Sequence, residues 1–287
     1  MKTLVLGAGG MAGHVIAISL QEKGYSVTGL ARRELPFCDT VVADATNIGE
    51  IKNILDSGSF DAVINAIRIL PKATHENPYN GIWINSCLPH LLAGLTKDSG
   101  TRIIHLSTDC VFSGRDGGSY DEGSFCSADN YYGRSKALGE LNDRKNLTFR
   151  MSVIGPDINE KGIGLFNWFM KQTEKVRGYR QAIWSGVTTI VLADAIDAVL
   201  KQGLTGIYHL VNNASISKYE LLALFNNLRN APVFITPDDS YLMDKSMINK
   251  RTDFCFPVRA YDEMIHDMGK WIQAHGALYP HYEIRQR

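Results

Sequence analysis

A tyrosine and a lysine four residues apart are the side chains in this sequence best suited to proton transfer. The segment reads Tyr132-Gly133-Arg134-Ser135-Lys136 at the start of a predicted helix, so Tyr132 and Lys136 share one helix face. A free phenol has a pKa near ~10, and a nearby ammonium favours the phenolate and eases proton exchange. We interpret Tyr132 as the proton donor to a carbonyl that receives hydride from a nicotinamide. Lys136 would lower the phenol pKa and bind the nicotinamide ribose.

Hydroxyl groups follow the strand predicted over residues 102–106. The chain continues Ser107-Thr108-Asp109-Cys110, and the carboxyl ends of strands are where ligands bind in parallel sheets. Thr108 is therefore predicted to donate a hydrogen bond to the substrate carbonyl oxygen, with Ser107 beside the cofactor. The alternative is a hydroxyl that only caps the strand end.

Three glycines mark a turn between the first predicted strand and the first predicted helix. They are spaced Gly7-x-x-Gly10-x-x-Gly13, with Met11 at the helix start. Gly7 permits a tight turn, Gly10 lets the backbone approach a pyrophosphate, and Gly13 allows close packing of helix on sheet. The free N–H groups at the helix start would hold the anion. An ordinary strand–helix turn is the competing interpretation.

Two arginines, Arg32 and Arg33, follow the second predicted strand. An NAD-specific site places a carboxylate here to accept from the ribose hydroxyls. Guanidinium groups suit a 2′-phosphate instead, because they are permanently charged and donate in a planar fork. The position predicts NADP(H), unless the pair is only a solvated surface feature.

Further cofactor contacts are expected after the third and fourth predicted strands. Asp44, followed by Ala45, could accept from the adenine amino group, and Asn65 with Ala66 closes the strand near the second half of the cofactor. Asp and Asn after strands also serve as helix caps and turn formers, so both interpretations stay open.

The alternation of strand and helix patterns through the first half, with helices expected near residues 84–97 and around residues 131–142, predicts an α/β fold with a doubly wound parallel sheet. We expect residues 1–155 to form an NADP-binding Rossmann domain. Residues 156–287, where the alternation loosens, would form a smaller substrate-binding region interleaved with the first.

Composition narrows the class of partner. Of 287 residues, 30 are basic and 30 are acidic, so the formal net charge is zero. The protein therefore has no overall positive charge that would attract nucleic acid or an anionic membrane. Five scattered cysteines without a C-x-x-C pair argue against disulfides and a metal site. With no signal peptide or membrane-length apolar run, a cytoplasmic enzyme with a small-molecule substrate is expected, and homodimerisation stays open.

Together these motifs resemble dTDP-4-dehydrorhamnose reductase and its relatives in the extended short-chain dehydrogenase family. They are Gly7-x-x-Gly10-x-x-Gly13, Ser107-Thr108-Asp109-x-Val111-Phe112 and Tyr132-Gly133-x-Ser135-Lys136-x-x-Gly139-Glu140. The resemblance implies a catalytic triad of Thr108, Tyr132 and Lys136. It also implies NADPH-dependent reduction of a nucleotide-linked 4-keto-6-deoxy sugar in surface-polysaccharide synthesis.

The sequence departs from that family at two positions near the sugar. Cys110 stands where the rhamnose enzyme has Tyr, and Val153 where it has Trp. Loss of both aromatic surfaces predicts a reshaped pocket and a different keto sugar. Asp109, Cys110, Val111 and Val153 are expected to line it.

Two alternatives come from the same resemblance. Cys110 matches the acid/base cysteine of an epimerase-reductase, although residues 164–167 offer no helper histidine. Some relatives are non-catalytic regulatory subunits that bind NADP(H), but the intact triad favours an enzyme.

The substrate diphosphate requires cations from the second half of the chain. The candidates are Lys245, Lys250 and Arg251, in a predicted loop over residues 244–252, although late-loop cations are usually surface charges. Trp168, Trp184 and Trp271 could stack on the nucleotide base, but tryptophans at helix or strand positions more often lie in the core or at an interface, and the sequence does not decide between these roles.

Overall fold

A seven-stranded parallel sheet forms the centre of the computed structural model, which describes residues 1–285. The strands along the chain are β1 (Lys2–Leu6), β2 (Ser26–Ala31), β3 (Asp39–Val42), β4 (Ala62–Asn65), β5 (Arg102–Leu106), β6 (Leu147–Arg150), β7 (Ser152–Ile154), β8 (Val176–Tyr179), β9 (Ala182–Trp184), β10 (Gly186–Thr188), β11 (Gly206–His209), β12 (Ile216–Ser217), β13 (Ile235–Asp238) and β14 (Met243–Asp244). In the large sheet their order is β11, β6, β5, β4, β1, β2, β3.

Ten α-helices accompany these strands in the described part of the chain. They are α1 (Met11–Glu22), α2 (Ile48–Gly58), α3 (Pro71–Glu76), α4 (Pro78–Ile82), α5 (Leu88–Leu95), α6 (Tyr131–Leu138), α7 (Leu165–Met170), α8 (Thr189–Gln202), α9 (Lys218–Asn226) and α10 (Tyr261–Ala274). A π-helical turn, Trp83–Cys87, joins α4 to α5, and short 3-10 turns cover Asp109–Val111 and Gly276–Leu278.

Helices cover both faces of the large sheet because its central strands are apolar on both sides. Along β1, Val5 packs into a core shared with α1 and α8. Its neighbours Leu4 and Leu6 point the other way, into a core shared with α2 and α5. The predicted doubly wound α/β fold is confirmed.

The strand order reverses between β1 and β4. Strands β2 and β3 continue the sheet beyond β1, and strands β5, β6 and β11 continue it beyond β4 in the other direction. Connections leave the carboxyl ends of these two strands in opposite directions, and the crevice between them is where such sheets bind ligands. The glycine turn follows β1, and the Thr108 segment follows β5, next to β4. The topology therefore brings the main predicted motifs to one edge.

The second half of the chain builds its own apolar core and also returns to the first. Phe166, Phe169 and Phe225 are fully buried in the second core, which joins α7, α9 and α10. Helix α8 packs on α1, and β11 extends the large sheet beside β6. Short two- and three-stranded sheets complete this half.

Two predicted helices have different bounds in the structure. The helix expected over residues 84–97 begins earlier, at Pro78, and passes through the π-helical turn. Pro89, in the first turn of α5, has no N–H to donate to Asn85, which favours the wider turn there. The helix expected over 131–142 ends at Leu138. A Cβ on the next residue, Gly139, would lie 2.0 Å from the carbonyl oxygen of Asn85.

Several strands of the second half show no alternation of apolar and polar residues in the sequence, so they were not predicted. β7, β9 and β10 have three residues each, too few to establish an alternation. Within residues 1–285, none of the helices combines the length and apolar character needed to cross a bilayer.

Candidate active site

The glycine turn has the geometry that its spacing predicts. Gly7 has a φ of 78°, in the left-handed region that favours glycine. A Cβ on Gly13 would lie 2.1 Å from the carbonyl oxygen of Gly7, so only glycine allows this approach of α1 to the turn. The Gly7 N–H donates to Leu30 at 2.9 Å and fixes the turn against β2. Met11 begins α1 and its sulfur faces Gly164 of the second half.

Arg32 and Arg33 are exposed immediately after β2, beside this turn. Asp44 lies near them, and its carboxylate accepts from the backbone N–H and hydroxyl of Thr46 at 2.9 and 2.8 Å. These hydrogen bonds, with a smaller effect of Arg32, lower the Asp44 pKa. Asp44 thus forms a turn, and its adenine contact stays a prediction. Ala45 points into the core, so its side chain does not face a cofactor.

Asn65 is a buried link between two strands and the loop that follows β4. Its Oδ1 accepts from the Ile67 N–H at 3.3 Å, and its Nδ2 lies 3.2 Å from Nδ1 of His105 in β5. The N–H of Ala66 donates to Leu6 at 3.1 Å. Both residues therefore lie at the carboxyl end of β4, beside β1, and their contact with the cofactor stays a prediction.

Tyr132 lies in the first turn of α6, which Asn130 caps by accepting from the Gly133 N–H at 2.9 Å. Only 6% of Tyr132 is exposed. Burial raises the pKa of Tyr132 to about 12, while the charge of Arg68 and the hydroxyl of Thr108 act to lower it. The phenol is thus protonated at neutral pH, as a proton donor must be.

Lys136 is one turn further along α6 and fully buried. Its Nζ donates to the carbonyl oxygen of Leu106 at 2.8 Å and lies 3.0 Å from Nε2 of His105. Burial and the charge of Arg68 lower the pKa of Lys136 to about 7, with Glu140 opposing. Burial also holds the pKa of His105 well below its usual range, so this imidazole is neutral.

Thr108 lies at the end of β5 and its hydroxyl reaches the surroundings of Tyr132. The same hydroxyl donates to Asp109 at 3.0 Å and accepts from the Cys110 N–H at 3.2 Å. Burial raises the pKa of the Cys110 thiol to about 12, with Asp109 adding to the effect and Lys245 opposing it. The structure therefore brings Thr108, Tyr132, Asp109 and Cys110 together.

Two other predicted residues of this segment face elsewhere. The Ser107 hydroxyl donates to Oε1 of Glu140 at 2.7 Å, which directs it toward a buried ion pair rather than toward the cofactor crevice. Val111 is fully buried in a small core with Phe112 and Tyr120. The prediction that the Val111 side chain contacts substrate is wrong, because neighbouring side chains enclose it.

A cavity of about 450 Å³ opens beside Asp109 and extends into the second half of the chain. Its lining includes three cations, Arg177, Lys218 and Lys245. It also includes four aromatic side chains, Trp168, Tyr179, Trp184 and Tyr241. Lys245 is where the sequence predicted a substrate contact. Positive charge beside aromatic surface suits a ligand that combines phosphate with a flat ring.

Lys218 is the lining residue that sequence reasoning missed most clearly. It starts α9, just after Ser217, which forms a capping box with Glu220. Its Nζ lies 5.1 Å from the centre of the Trp184 ring. Burial lowers the pKa of Lys218 to about 8, with Asp109 and Cys110 opposing. The Ser-x-x-Glu pattern in the sequence indicates the start of a helix. No residue pattern near Lys218 indicates that this helix faces a cavity.

Neither Val153 nor Arg251 is among the described residues that line this cavity. Val153 lies in β7 against the largest core and is absent from the lining among the described residues. Arg251 donates to the carbonyl oxygens of Thr205 and Ile207, both at 2.7 Å. These atoms flank the amino end of β11, opposite the ligand edge of the sheet. The prediction that Arg251 binds the substrate is therefore wrong, because its guanidinium is bonded at the amino end of β11.

Comparison with known proteins identifies the family. The model of the family described as RmlD substrate binding domain matches residues 1–241. The chain belongs to this family. The resemblance to dTDP-4-dehydrorhamnose reductase and related nucleotide-sugar reductases is thereby confirmed.

Two relatives of this RmlD-family chain are named as reductases. It is 34% identical over 143 residues to a probable low-salt glycan biosynthesis reductase of Haloferax volcanii, a match that spans 49% of this chain and 48% of the relative. It is 24% identical to a dTDP-4-keto-6-deoxy-D-glucose reductase of Streptomyces niveus, over 80% of this chain and 79% of that protein.

Solved structures share the fold of the RmlD-family chain. A dTDP-4-dehydrorhamnose reductase of Bacillus anthracis, solved in complex with NADP, superposes with a TM-score of 0.80 at 20% identity. The superposition covers 95% of this chain and 99% of that one.

Proposed function

We propose that this protein is an NADPH-dependent reductase of a nucleotide-linked 4-keto-6-deoxy sugar in surface-polysaccharide biosynthesis, with Tyr132 as the proton donor. The observation that carries the proposal is the cationic and aromatic cavity, which opens beside Asp109 next to Thr108 and Tyr132. A ligand with one end in the cavity can place its other end at these hydroxyl groups. The enzyme class, an NADP-dependent oxidoreductase, follows from the family and its named members.

The residues of the crevice fit an NADP-type cofactor. Gly7, Gly10 and Gly13 allow the start of α1 to pack closely against the turn after β1. The backbone N–H groups at the start of this helix would hold the pyrophosphate. Arg32 and Arg33, both exposed, form no ion pair within residues 1–285, so their charges are available to a 2′-phosphate. When bound, the cofactor supplies hydride.

The chain supplies the proton and the orientation. Thr108 turns its hydroxyl from Asp109 to the substrate carbonyl oxygen and draws charge onto that oxygen. Hydride adds to the carbonyl carbon, and the Tyr132 hydroxyl gives its proton to the resulting alkoxide, which becomes the alcohol. The phenolate left on Tyr132 recovers a proton from solvent after product release.

The second half of the chain supplies most of the substrate site. Of the cavity-lining residues within the described range 1–285, Asp109 alone comes from residues 1–155. Lys218 and Lys245 would bind the diphosphate, and Trp168 or Tyr241 would pack on the nucleotide base. This distribution supports residues 156–287 as the substrate-binding region.

An epimerase-reductase is less well supported. Removal of a proton beside the keto group needs a basic thiolate, and the Cys110 thiol, with its pKa raised to about 12, stays protonated at neutral pH. Solvent deuterium at C3 or C5 of the product would nevertheless establish epimerisation.

Turnover provides the direct test. The protein is mixed with NADPH and dTDP-, UDP-, GDP- or CDP-linked 4-keto-6-deoxy sugars, and the loss of nicotinamide absorbance is followed. We expect one nucleotide series to be reduced, and Tyr132→Phe to lower kcat by about 10²- to 10⁴-fold with NADPH affinity unchanged. Absence of turnover with every sugar, together with normal cell function of Tyr132→Phe, would favour a regulatory NADP-binding subunit.

A further inference from the structure

The last part of the chain, residues 276–284, packs against the amino end of α1. The Tyr279 hydroxyl lies 2.7 Å from Nε2 of His14, and it accepts a hydrogen bond from Nε1 of Trp271 at 2.9 Å. Nδ1 of His14 lies 2.9 Å from the carbonyl oxygen of Gly10. His14 is fully buried and Tyr279 is nearly so. These contacts link α10 and the C-terminal segment to the glycine turn.

The hydrogen bonds in this link run in one direction. A carbonyl oxygen only accepts, so Nδ1 of His14 carries the hydrogen and donates to Gly10. Nε2 then accepts from the Tyr279 hydroxyl, whose oxygen accepts from the indole N–H of Trp271. Burial lowers the pKa of His14 to about 4, so the ring is neutral, as this pattern requires. Each polar atom in the link therefore has a partner.

The bond to Gly10 fixes the first peptide group of α1. Gly10 is the residue before this helix, and its carbonyl and the Met11 N–H belong to one planar peptide group in which they point in opposite directions. Both Nδ1 and the backbone N–H of His14 donate to this carbonyl, at 2.9 and 3.1 Å, so the plane is held from the helix side. The Met11 N–H has no acceptor within residues 1–285 and points out of the amino end of the helix, where an anion would bind.

The same C-terminal segment holds the loop between β7 and α7, residues 155–164. The Tyr282 hydroxyl accepts from the Asp157 N–H at 2.9 Å and donates to Oδ1 of Asn167 at 2.7 Å. Asn167 is fully buried in α7, and its Nδ2 donates to the carbonyl oxygen of Gly162 at 2.6 Å. One hydroxyl thus holds the loop at its beginning directly and near its end through Asn167.

The end of the β7–α7 loop lies against the start of α1. A Cβ on Gly164 would lie 3.2 Å from the sulfur of Met11, the residue whose N–H is free. The next residue, Leu165, begins α7 and lines the cavity. The loop therefore passes from β7 to the start of α1 and on to the cavity. Tyr279 and Tyr282, three residues apart, hold the two sides of its contact with α1.

We propose that the C-terminal segment, residues 276–284, is a clamp for the NADP-type cofactor, with Tyr279 and Tyr282 as positioning residues. This inference rests on the NADP(H) binding of the proposed function and deepens it. Tyr279 acts through His14 on the orientation of the Met11 N–H. Tyr282 acts on the β7–α7 loop that packs against the same residue. Neither tyrosine needs to touch the cofactor, since each holds backbone beside the site of its pyrophosphate.

Cofactor titrations test the clamp without any sugar substrate. Tyr279→Phe and Tyr282→Phe each remove one hydroxyl and keep the ring. We expect each to raise the Kd for NADP⁺ by about two- to tenfold, the range of one hydrogen bond, as measured by isothermal titration calorimetry. Adenosine 2′-monophosphate, which lacks the pyrophosphate, should bind as it does to the unchanged protein. The matched control is Tyr25→Phe, which removes a hydroxyl bonded to Asp197 at 2.7 Å and should change neither Kd.

Hydrogen exchange of the unchanged protein provides a second measurement. Because coupling between two sites is reciprocal, a clamp that favours NADP⁺ binding is itself stabilised by bound NADP⁺. We expect saturating NADP⁺ to slow amide exchange in residues 155–164 and 276–284 as well as in residues 7–13, as followed by mass spectrometry. In Tyr282→Phe, residues 155–164 should exchange faster even without cofactor, because the loop has lost the bond to its first N–H.

Three results would overturn the proposal. One is an unchanged NADP⁺ Kd in either Tyr279→Phe or Tyr282→Phe, with circular dichroism showing that the variant is folded. Another is an equal loss of affinity for NADP⁺ and adenosine 2′-monophosphate, which would make the tyrosines general supports of the fold. The third is exchange in residues 276–284 that NADP⁺ does not slow. Failure of the unchanged protein to bind NADP⁺ would instead contradict the cofactor assignment, so the two failures are distinguishable.

Discussion

The ammonium of Lys218 lies 5.1 Å from the centre of the Trp184 ring, at the wall of the cavity that opens beside Asp109. No carboxylate forms an ion pair with Lys218 in the part of the chain that the structure describes. A desolvated cation that faces an aromatic ring retains its capacity to bind an anion.

Loss of the Lys218 charge should weaken substrate binding selectively. We expect Lys218→Met to raise KM for the nucleotide sugar by about 10- to 100-fold, since one charge-assisted hydrogen bond is worth about 1.5–3 kcal/mol. NADPH affinity, measured by fluorescence titration, should not change. Lys201→Met, which removes an exposed cation on α8, is the matched control and should leave KM unaltered.

The pH dependence of substrate capture should reveal the same lysine. The pKa of Lys218 is lowered to about 8, so its charge is present below pH 8 and is lost as the pH rises through that value. We expect kcat/KM to fall above about pH 8, because kcat/KM reports groups of the free enzyme. Lys218→Arg keeps its charge and should remove this limb of the profile. An identical profile in Lys218→Arg would assign the limb to another group.

Cofactor preference should depend on the two arginines after β2. Replacing both Arg32 and Arg33 by Ala should weaken NADPH binding by about 100-fold or more, because each of the two lost contacts to a 2′-phosphate is worth about 1.5 kcal/mol or more. NADH, which has no 2′-phosphate, should bind as before. Equal losses for both cofactors, measured by fluorescence titration, would refute the assignment.

A buried ion pair below the site should matter for stability. Arg150 contacts Glu140 through two hydrogen bonds of 2.8 and 2.7 Å, and 4% of each side chain is exposed. Glu140→Gln leaves the guanidinium without its counter-charge and should lower the free energy of unfolding by about 3–5 kcal/mol.

Denaturant unfolding measures that loss. Asp56→Asn breaks the exposed pair with Lys52 and, as the control, should change the unfolding free energy by less than about 1 kcal/mol. Similar values for the two variants would mean that solvent screens the Glu140 pair.

The glycine turn after β1 and the shared helix face of Tyr132 and Lys136 could be predicted because their determinants lie within a few residues. Gly7, Gly10 and Gly13 impose the turn through backbone sterics, and the four-residue spacing places Tyr132 and Lys136 on one face. The strand and helix alternation likewise predicted the parallel sheet. Element ends were less predictable where tertiary contacts decide them, as at Gly139, which packs against Asn85.

Tertiary structure alone decided which side chains meet at the site. Lys218 lies far from Tyr132 and Asp109 in the chain, and only the packing of α9 brings its charge to the cavity beside Asp109. Val111 and Arg251 have plausible positions in the sequence, yet one is enclosed and the other lies at the opposite edge of the sheet. Local spacing determines a turn or a helix face, but burial and charge at a site depend on residues distant in sequence.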